Sequence, residues 1–589
     1  MHVVLTREPR GTVRVHDAAP GGTSDTAVPV ADLPALVAAA EGGAREGGVV
    51  PRWTWDDTNR WYLGLLRAGV RVERSHDLRL VHRILRHSAA TAGSGLATSP
   101  PGAWDAMTPT PAGTAPPVGA RRAPQGEALF DLAAPAPSAP APHGAAGEEA
   151  DPEAELRRQE DAVRRATAPG RLRLLAAGES AGALVAAEMH HAGLPWRADV
   201  HDAILTEALG PRPPEGQRPA RLEELARQIR AALDAPPSLN PDSHPDLLKA
   251  MQYAGVGAHS LRKWELEKID HPVVAPLLEY KNLYRLLTAN GWHWLDEWVT
   301  DGRFRTEYVV GGVVTGRWAS TGGGALQLPK GVRRAVVADP GWCLVVADVA
   351  QLEPRVLAAM AGDQAMATAG RAGDLYAGIV ASGVVPTREL AKVGMLGAMY
   401  GGTTGASAQV LPRLGREYPR AIALVEEAAR TGERGGIVTT WLGRSSPAPG
   451  SAWDEAQAGA FADDAGADAA ARARSATRSW GRFTRNFVVQ GTAAEWALCW
   501  LASIRRRLWA LGVADGVRPG LAPAPFADRP HLAFFLHDEV VVHAPRELAE
   551  AVAAEVRAAA EEAGRLLFGD FPVDFPLTVA VVDSYADAK

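Results

Sequence analysis

The distribution of hydrophobic and polar positions predicts a defined element in each of three stretches. The first is the apolar run Leu344–Ala347, which ends at Asp348 and is followed by Pro354 and an apolar helical pattern. An uninterrupted apolar run predicts a buried strand, and a proline fits the first turn of a helix, where its missing N–H costs nothing. The pattern therefore predicts a strand that ends in a carboxylate, with a helix behind it. Such an aspartate is either a helix cap or a metal ligand.

The second stretch lies between Pro386 and the glycine pair 401–402, and it predicts one helix with a proline start and a glycine stop. Four residues recur along it at intervals of four: Arg388, Lys392, Leu396 and Tyr400. At this spacing they form one slanting stripe of two cations, an apolar group and an aromatic ring. That order suits a nucleoside triphosphate, because cations bind phosphates and flat surfaces bind sugar and base. An ordinary amphipathic surface helix is the alternative.

The third stretch, residues 531–543, contains two apolar runs that flank the polar break His537-Asp538-Glu539. This pattern predicts a β-hairpin with two acids at its bend. Adjacent carboxylates repel each other unless a cation lies between them, so the hairpin indicates a metal site or, alternatively, a solvated turn.

Composition narrows the function classes. The 589 residues suffice for several domains, and a formal net charge of -6 means that any nucleic-acid groove must be a local basic surface. Cys343 and Cys499 lie in apolar surroundings without a zinc or disulfide spacing, which fits a reducing cytoplasm. We find neither a basic-apolar leader nor an apolar stretch able to span a bilayer, so we expect a cytoplasmic protein without a membrane segment.

Together the three stretches resemble motifs A, B and C of the family A DNA polymerases, the DNA polymerase I type. That family's first motif reads Asp-Tyr-Ser-Gln-Ile-Glu-Leu-Arg, and the residues that match it are Asp348, Gln351, Glu353 and Arg355. Leu396 occupies the aromatic position of the second motif, and the third motif, His-Asp-Glu, is intact. Order and spacing agree from about Thr315 to the C-terminal end.

The resemblance implies an α/β (α+β) right-hand polymerase in residues 151–589, with thumb at about 240–300, palm at about 305–365 and 490–589, and fingers at about 366–489. The implied activity is template-directed DNA synthesis in replication or repair, by transfer of a nucleotide from a deoxynucleoside triphosphate (dNTP) to a primer 3′-hydroxyl. Primer-template DNA and dNTPs are the expected partners of a nucleoid-associated monomer.

The resemblance also implies site residues. Asp348 and Asp538 are the expected ligands of two Mg²⁺ ions, with Mn²⁺ as an alternative, and Lys392 and Glu539 complete the catalytic set. The implied dNTP-binding residues are Arg388, Lys392, Leu396, Tyr400, Gln351, Glu353 and His537. The implied DNA-binding residues are Arg317, in a Thr-Gly-Arg motif, and Arg482, Asn486 and Gln490. The arginines of the same segment predict a local cationic face: Arg472, Arg474, Arg478, Arg482 and Arg485.

By position, residues 1–95 resemble the 3′–5′ exonuclease domain of this family. That chemistry needs about four carboxylates on two metals, including an Asp-x-Glu strand, which is missing before the linker. Asp56, Asp57 and Asp77 are available, but we predict a degenerate domain without proofreading; a bifunctional exonuclease/DNA polymerase is the alternative.

Residues 96–150 are rich in Pro, Ala and Gly and predict a flexible linker. Within it, Leu129 and Phe130 resemble the peptides with which bacterial polymerases bind the sliding clamp, although the preceding Gln125 is one position too distant.

Two other function classes compete with a polymerase. A two-metal nuclease also needs paired aspartates but does not need the Arg-Lys-Tyr helix. A polymerase-derived, non-catalytic DNA-binding protein would not need the acids and the cations together. The sequence retains Asp348, Asp538, Arg388 and Lys392, which favours the polymerase.

Overall fold

A sheet of mixed direction organises the N-terminal region. The structure is a computed structural model that describes residues 1–19, 22–45, 48–113, 150–322, 324–371, 373–402, 405–460, 467–514, 516 and 518–588. The strands are β1 (His2–Glu8), β2 (Thr12–Ala19), β3 (Gly22–Pro29), β4 (Arg52–Trp55) and β5 (Arg74–Asp77), in the order β3-β2-β1-β4-β5. Strand β2 pairs antiparallel with both β1 and β3, whereas β4 pairs parallel with both β1 and β5. The accompanying helices are α1 (Leu33–Arg45), α2 (Thr58–Arg67) and α3 (Leu78–His87).

Residue 96 is too early a start for the predicted linker. Residues that we assigned to it form the short helices α4 (Gly95–Thr98) and α5 (Ala103–Ala106). Leu96 is 2% exposed and Trp104 is 7% exposed, and the indole of Trp104 packs in a cluster with Val4 and Leu78. The average composition of the segment gave no sign of these two apolar side chains. Their burial stabilises the short helices of a Pro- and Ala-rich segment. Leu129 and Phe130 lie outside the described residues.

Two helices and a short strand continue the chain, namely α6 (Pro152–Arg165), α7 (Pro169–Ala192) and β6 (Leu194–Pro195). Helix α7 is buried along most of its length and packs against α2 and β5, so it joins the N-terminal region to the rest of the protein.

A helical region follows. Its elements are α8 (Ala198–Leu209), α9 (Ala220–Ala232), α10 (His244–Tyr253), α11 (Lys263–Leu266), α12 (Val274–Asn290), α13 (Trp292–Trp298), β7 (Val299–Thr300) and β8 (Arg303–Phe304). One hydrophobic cluster extends from Leu205 to Trp292 and includes Leu222 and Leu277. Helices α8 and α9 therefore share a core with the segment predicted as thumb, although the predicted bound lies near residue 240.

The next elements are β9 (Glu307–Val309), β10 (Ala319–Gly322), β11 (Trp342–Val349), α14 (Leu352–Ala361), α15 (Gln364–Gly370), α16 (Leu375–Ala381), α17 (Arg388–Tyr400), α18 (Gly405–Glu417), α19 (Pro419–Glu433) and α20 (Ser451–Ala460). The helices from α14 to α19 contribute to a second core. Apolar residues from Leu357 to Val438 pack together with Phe487 and Val488 of the following helix. Helix α17 confirms the predicted helix: Thr387 caps its start and Gly401, with positive φ, follows its end.

The last elements complete an antiparallel sheet. They are α21 (Ala467–Leu511), β12 (His531–Leu536), β13 (Glu539–Pro545), α22 (Ala549–Phe568) and β14 (Leu577–Val582). The sheet order is β12-β13-β11-β14, so β11 lies between two partners and its carboxyl end is held on both sides. The predicted strand and hairpin are confirmed.

One helix is more apolar than the sequence analysis stated. Within the described part of the chain, the helix segment Asp468–Leu511 is long and apolar enough to cross a membrane by length and composition. However, 89% of its most apolar window is buried inside the protein, where Trp496 and Trp500 contact the core. Its hydropathy reflects a helix that is enclosed by protein.

Candidate active site

The two predicted metal-binding acids lie at the same end of the sheet. Asp348 is half-buried near the end of β11, and Asp538 lies in the turn between β12 and β13. The backbone N–H of Val349 donates to the carbonyl of Asp538 at 3.1 Å, so the two acids occupy neighbouring positions on hydrogen-bonded segments. Carboxylate oxygens are the protein ligands that Mg²⁺ prefers, and this pair fits such an ion.

The turn that carries Asp538 is conformationally unusual. His537 has a φ of 60°, in the left-handed region that residues other than glycine rarely adopt. Burial lowers the pKa of His537, and the nearby Arg317 lowers it further. Both effects favour the neutral imidazole of His537 beside Asp538.

Glu539 differs from its neighbour. It is 3% exposed, its Oε1 accepts a hydrogen bond from the Tyr585 hydroxyl, and Arg333 Nη1 lies 3.5 Å from the same oxygen. The Arg333 guanidinium also covers the Tyr585 ring at 4.3 Å. The sequence argument required a cation near the two adjacent acids, and for Glu539 the protein supplies Arg333. The predicted catalytic part of Glu539 stays a prediction, and its contacts are those of a structural carboxylate.

Glu353 joins two residues that the sequence assigned to different ligands. It lies in the first turn of α14, where Oε1 accepts from Arg317 Nη2 and Oε2 accepts from the Tyr400 hydroxyl. The Glu353 side chain is 14% exposed and that of Arg317 is 37% exposed. Burial, and then the adjacent Glu353, raise the pKa of Tyr400, so its hydroxyl remains a donor. Tyr400 and Glu353 both belong to the implied dNTP-binding set, whereas the contact with Arg317 is not predictable from spacing.

The stripe on α17 divides between the surface and a cavity. Arg388 and Lys392 are exposed, and Arg388 Nε donates to Asp374 Oδ2 at 2.6 Å. Leu396 is half-buried and lines a cavity of about 420 Å³. The predicted site residues that share its lining are Arg317, Gln351, Glu353, Leu396, Gln490, His537 and Asp538. The rest of the lining is largely apolar and includes Trp318, Leu498 and Phe535.

Gln351 and Arg355 hold the end of the first motif. Gln351 has a φ of 48°, and its Oε1 accepts from Leu375 N at 3.3 Å. Arg355 is buried and donates to the carbonyls of Ala350 at 2.8 Å and Gly370 at 3.0 Å. Arg355 thus anchors the backbone behind Asp348, and Gln351 contacts the next helix while it lines the cavity.

The predicted DNA-binding residues on α21 have unequal access. Gln490 lines the cavity, Arg482 is half-buried against Gly401, and Asn486 is buried. Arg485 does not belong to the cationic face that we predicted. It is buried, its Nη1 donates to the Ala398 carbonyl at 2.9 Å, and its Nη2 donates to Glu426 at 2.8 Å. Arg485 lies three positions after Arg482, a spacing that places neighbouring side chains on one side of a helix, so the sequence carried no signal of its burial.

The carboxylates of the N-terminal region serve as helix caps. Asp57 caps α2 and accepts from Arg79 Nε at 2.7 Å. Asp77 caps α3 and accepts from the Thr58 N–H at 2.8 Å, and burial raises the pKa of Asp77 to about 6. Both acids border a second cavity of about 450 Å³. Their charges are thus engaged by Arg79 and backbone donors.

A group that the sequence did not indicate lies on the edge of this region. His16, Asp25 and Glu153 bring potential ligand atoms within 4.8 Å of one another. His16 Nδ1 lies 2.6 Å from Asp25, and Arg14 Nη1 lies 3.1 Å from Glu153. The contacts describe an ion-pair network in which Arg14 already supplies a cation.

Comparison with known proteins gives one family match. The model of DNA polymerase family A matches residues 221–586, which is more than half of the chain. The thermostable DNA polymerase I of Thermus filiformis is 28% identical over 358 residues, which cover 55% of this chain and 38% of that protein. DNA polymerase I of Chloroflexus aurantiacus is 28% identical over 335 residues, which cover 51% of this chain and 31% of that protein. The chain thus spans well under half the length of these relatives.

A solved structure extends the likeness to the whole chain. The POL domain of Pol1 from M. smegmatis, in complex with DNA primer-template and dNTP, superposes with a TM-score of 0.62 and 16% identity. The superposition covers 100% of this chain and 95% of that one. At this identity the likeness shows the fold alone, and it includes the N-terminal sheet region.

Proposed function

The chain belongs to DNA polymerase family A, and we propose that it extends a primer 3′-hydroxyl on a DNA template with dNTPs. The family and the fold predicted from the sequence are thereby confirmed. The observation that carries the proposed activity is the pairing of Asp348 and Asp538 at one end of the β12-β13-β11-β14 sheet, beside a cavity bordered by Glu353 and Leu396. A binding protein without catalysis has no need of two acids at that position.

In the proposed mechanism, Asp348 and Asp538 would hold two Mg²⁺ ions. Bound there, the ions supply Lewis-acid activation of the primer hydroxyl and neutralise charge on the departing pyrophosphate. Arg388 and Lys392 lie on the exposed part of α17 and supply positive charge for the triphosphate. Lys392 is the residue we assign to proton donation to the leaving group.

The remaining side chains orient the substrates. Glu353, held by Arg317 and Tyr400, closes the space beside the sugar, and Leu396 provides an apolar surface next to it. Gln490 and Arg317 line the same cavity, and we assign to both of them contacts with the primer-template end. Hydrogen-bonding side chains that already lie at the cavity reduce the ordering that substrate binding requires.

We further propose that the N-terminal region does not proofread. Two observations support this: strand β1 carries Val3 and Val4 instead of an Asp-x-Glu pair, and Asp57 is ion-paired with Arg79. A guanidinium held 2.7 Å from the Asp57 carboxylate competes with metal binding there.

Primer extension by the purified chain tests the activity. We expect the wild type to extend a labelled primer with Mg²⁺ and dNTPs, and Asp348→Asn and Asp538→Asn to lower the rate by several orders of magnitude, about the range for removal of one essential catalytic group. Primer-template affinity, measured by fluorescence anisotropy, should change little. Asp583→Asn is the matched control, because Asp583 is an exposed acid of the same region paired with Arg546. Near wild-type extension by either site variant would refute the assignment.

A further inference from the structure

The turn that presents Arg317 depends on a glycine. The Gly316 N–H donates to the Val313 carbonyl at 2.8 Å, and the Val313 N–H donates to the Arg317 carbonyl at 3.1 Å. Gly316 has a φ of +88°, and a Cβ at this position would lie 2.6 Å from Arg444 Nε. The guanidinium of Arg444 therefore packs directly on the backbone of the turn, one residue before Arg317.

Arg444 is held from the opposite side by a buried acid. Its Nη2 donates to Glu179 Oε1 on helix α7, and the Glu179 side chain is 1% exposed. A Cβ at Gly311 would lie 3.3 Å from Glu179 Oε2, so this carboxylate also borders the segment that leads into the turn. Removal of either partner of this buried ion pair would leave an uncompensated charge, so the pair holds Arg444 against the turn.

The backbone around Arg444 is fixed from two directions. On one side, Glu495 of α21 accepts from the Thr440 hydroxyl and from the Leu442 N–H at 2.9 Å. On the other side lies the N-terminal region, where the Ser88 hydroxyl donates to the Gly443 carbonyl at 2.7 Å. Its Ala89 N–H also donates to Ser445 Oγ at 2.8 Å.

From these contacts we propose that Arg444, clamped by Glu179 and by the N-terminal region, is a positioning residue that sets the turn presenting Arg317 to the primer. The proposal rests on the proposed polymerase function. It gives the N-terminal region a role that needs no nuclease chemistry, because Ser88 and Ala89 brace the segment that carries Arg444.

A double-mutant cycle tests the proposal. We expect Arg444→Met to raise the KM for primer-template by roughly tenfold or more with a smaller effect on kcat, within the range of coupling between contacting residues. Arg317→Ala should raise the same KM, and Arg444→Met should add nothing in the Arg317→Ala background. Additive effects of the two substitutions would overturn the proposal, because Arg444 would then act independently of Arg317.

Arg505→Met is the matched structural control. Arg505 is also buried and also pairs with an acid of α7, with Nε 3.0 Å from Glu188, but its side chain also contacts Tyr62, Val72 and Glu73 of the N-terminal region and not the turn before Arg317. We expect it to lower the melting temperature as much as Arg444→Met does while leaving the KM for primer-template unchanged. An equal rise in KM would mean that general destabilisation explains both effects.

A milder variant keeps the test valid if Arg444→Met does not fold. Ser88→Ala removes the hydrogen bond to the Gly443 carbonyl. It should raise the KM for primer-template severalfold in the wild-type background but not in the Arg317→Ala background. An unchanged KM in a folded Ser88→Ala protein would overturn the role of the N-terminal region in holding Arg444. Absence of extension by the wild type would instead refute the proposed function, so the two failures are distinguishable.

Discussion

Replacement of Glu353 by alanine should weaken the rejection of ribonucleotides. The Glu353 carboxylate is fixed on both oxygens, by Arg317 and by the Tyr400 hydroxyl, in a position that borders the cavity beside Leu396. A ribose 2′-hydroxyl would have to enter this occupied space, and overpacking commonly costs about 1–3 kcal/mol. Since about 1.4 kcal/mol corresponds to one decade, we expect Glu353→Ala to raise the ribonucleotide-to-deoxynucleotide ratio of kcat/KM by at least about tenfold.

The same substitution should also lower stability and overall activity. Without Glu353 the half-buried Tyr400 hydroxyl loses its hydrogen bond to this carboxylate, and a hydrogen bond to a charged group contributes about 1.5–3 kcal/mol. The Arg317 side chain is more than a third exposed, so loss of its ion pair with Glu353 lowers the free energy of unfolding by at most about 1 kcal/mol. The melting temperature should therefore fall, chiefly because of Tyr400.

Glu353→Gln separates volume from charge. Glutamine retains the size of the side chain and one acceptor for Tyr400, but it loses the charge that attracts Arg317. We expect its sugar selectivity to stay near the wild-type value while kcat/KM falls for both nucleotide types. Single-nucleotide incorporation with ribo- and deoxynucleotides measures the ratio for each variant. An unchanged ratio in folded Glu353→Ala would falsify the steric role and leave Glu353 as an anchor for Arg317 and Tyr400.

Four further outcomes are expected. Leu396→Phe should lower the KM for deoxynucleotides severalfold, because a ring adds stacking area beside the sugar; an unchanged KM would contradict this. A mispaired primer end should persist with Mg²⁺ and without nucleotides, and trimming that Asp57→Asn abolishes would contradict the absence of proofreading. Burial raises the pKa of Glu495 to about 7. The neutral carboxyl therefore makes its full contribution to the free energy of unfolding below its ordinary pKa of 4.5, and this contribution is lost as pH rises through about 7. Glu495→Gln should flatten the dependence of melting temperature on pH in that window, and an unchanged slope would speak against it. Leu129→Ala with Phe130→Ala should abolish clamp-stimulated synthesis but not synthesis on short primers; equal stimulation of both proteins would remove the clamp hypothesis.

Elements with local signals could be predicted from the sequence. The strand that ends near Asp348, the helix from Arg388 to Tyr400 and the hairpin around Asp538 each have their period, start and stop within a short window. Burial of β11 on both sides follows from its uninterrupted apolar run. The proximity of Asp538 to Asp348 also requires the pairing of β13 with β11, and only the resemblance to the polymerase family implied that the two acids act together.

Contacts between long side chains from distant segments could not be predicted. Arg333 and Glu539 are 206 positions apart, and Arg444 and Glu179 are 265 apart, so no spacing rule connects them. The wrong start predicted for the linker has a related cause, because the indole of Trp104 packs in a cluster formed by β1, α3 and α6. Composition averages describe a segment, whereas burial of a single anchor depends on the surface that the rest of the fold presents.

In the proposed function, the contact between Arg317 and Glu353 would couple the residue that we assign to the primer to the residue that we assign to the sugar. Without DNA, the Arg317 guanidinium is paired with the carboxylate that borders the nucleotide cavity. Because Arg317 is more than a third exposed, the pair contributes at most about 1 kcal/mol and can be exchanged for a primer contact at little cost. Tyr400 then remains as the described donor to Glu353 and keeps the carboxylate in place when Arg317 leaves. One carboxylate with two donors can therefore release the arginine to the primer without opening the space beside the sugar.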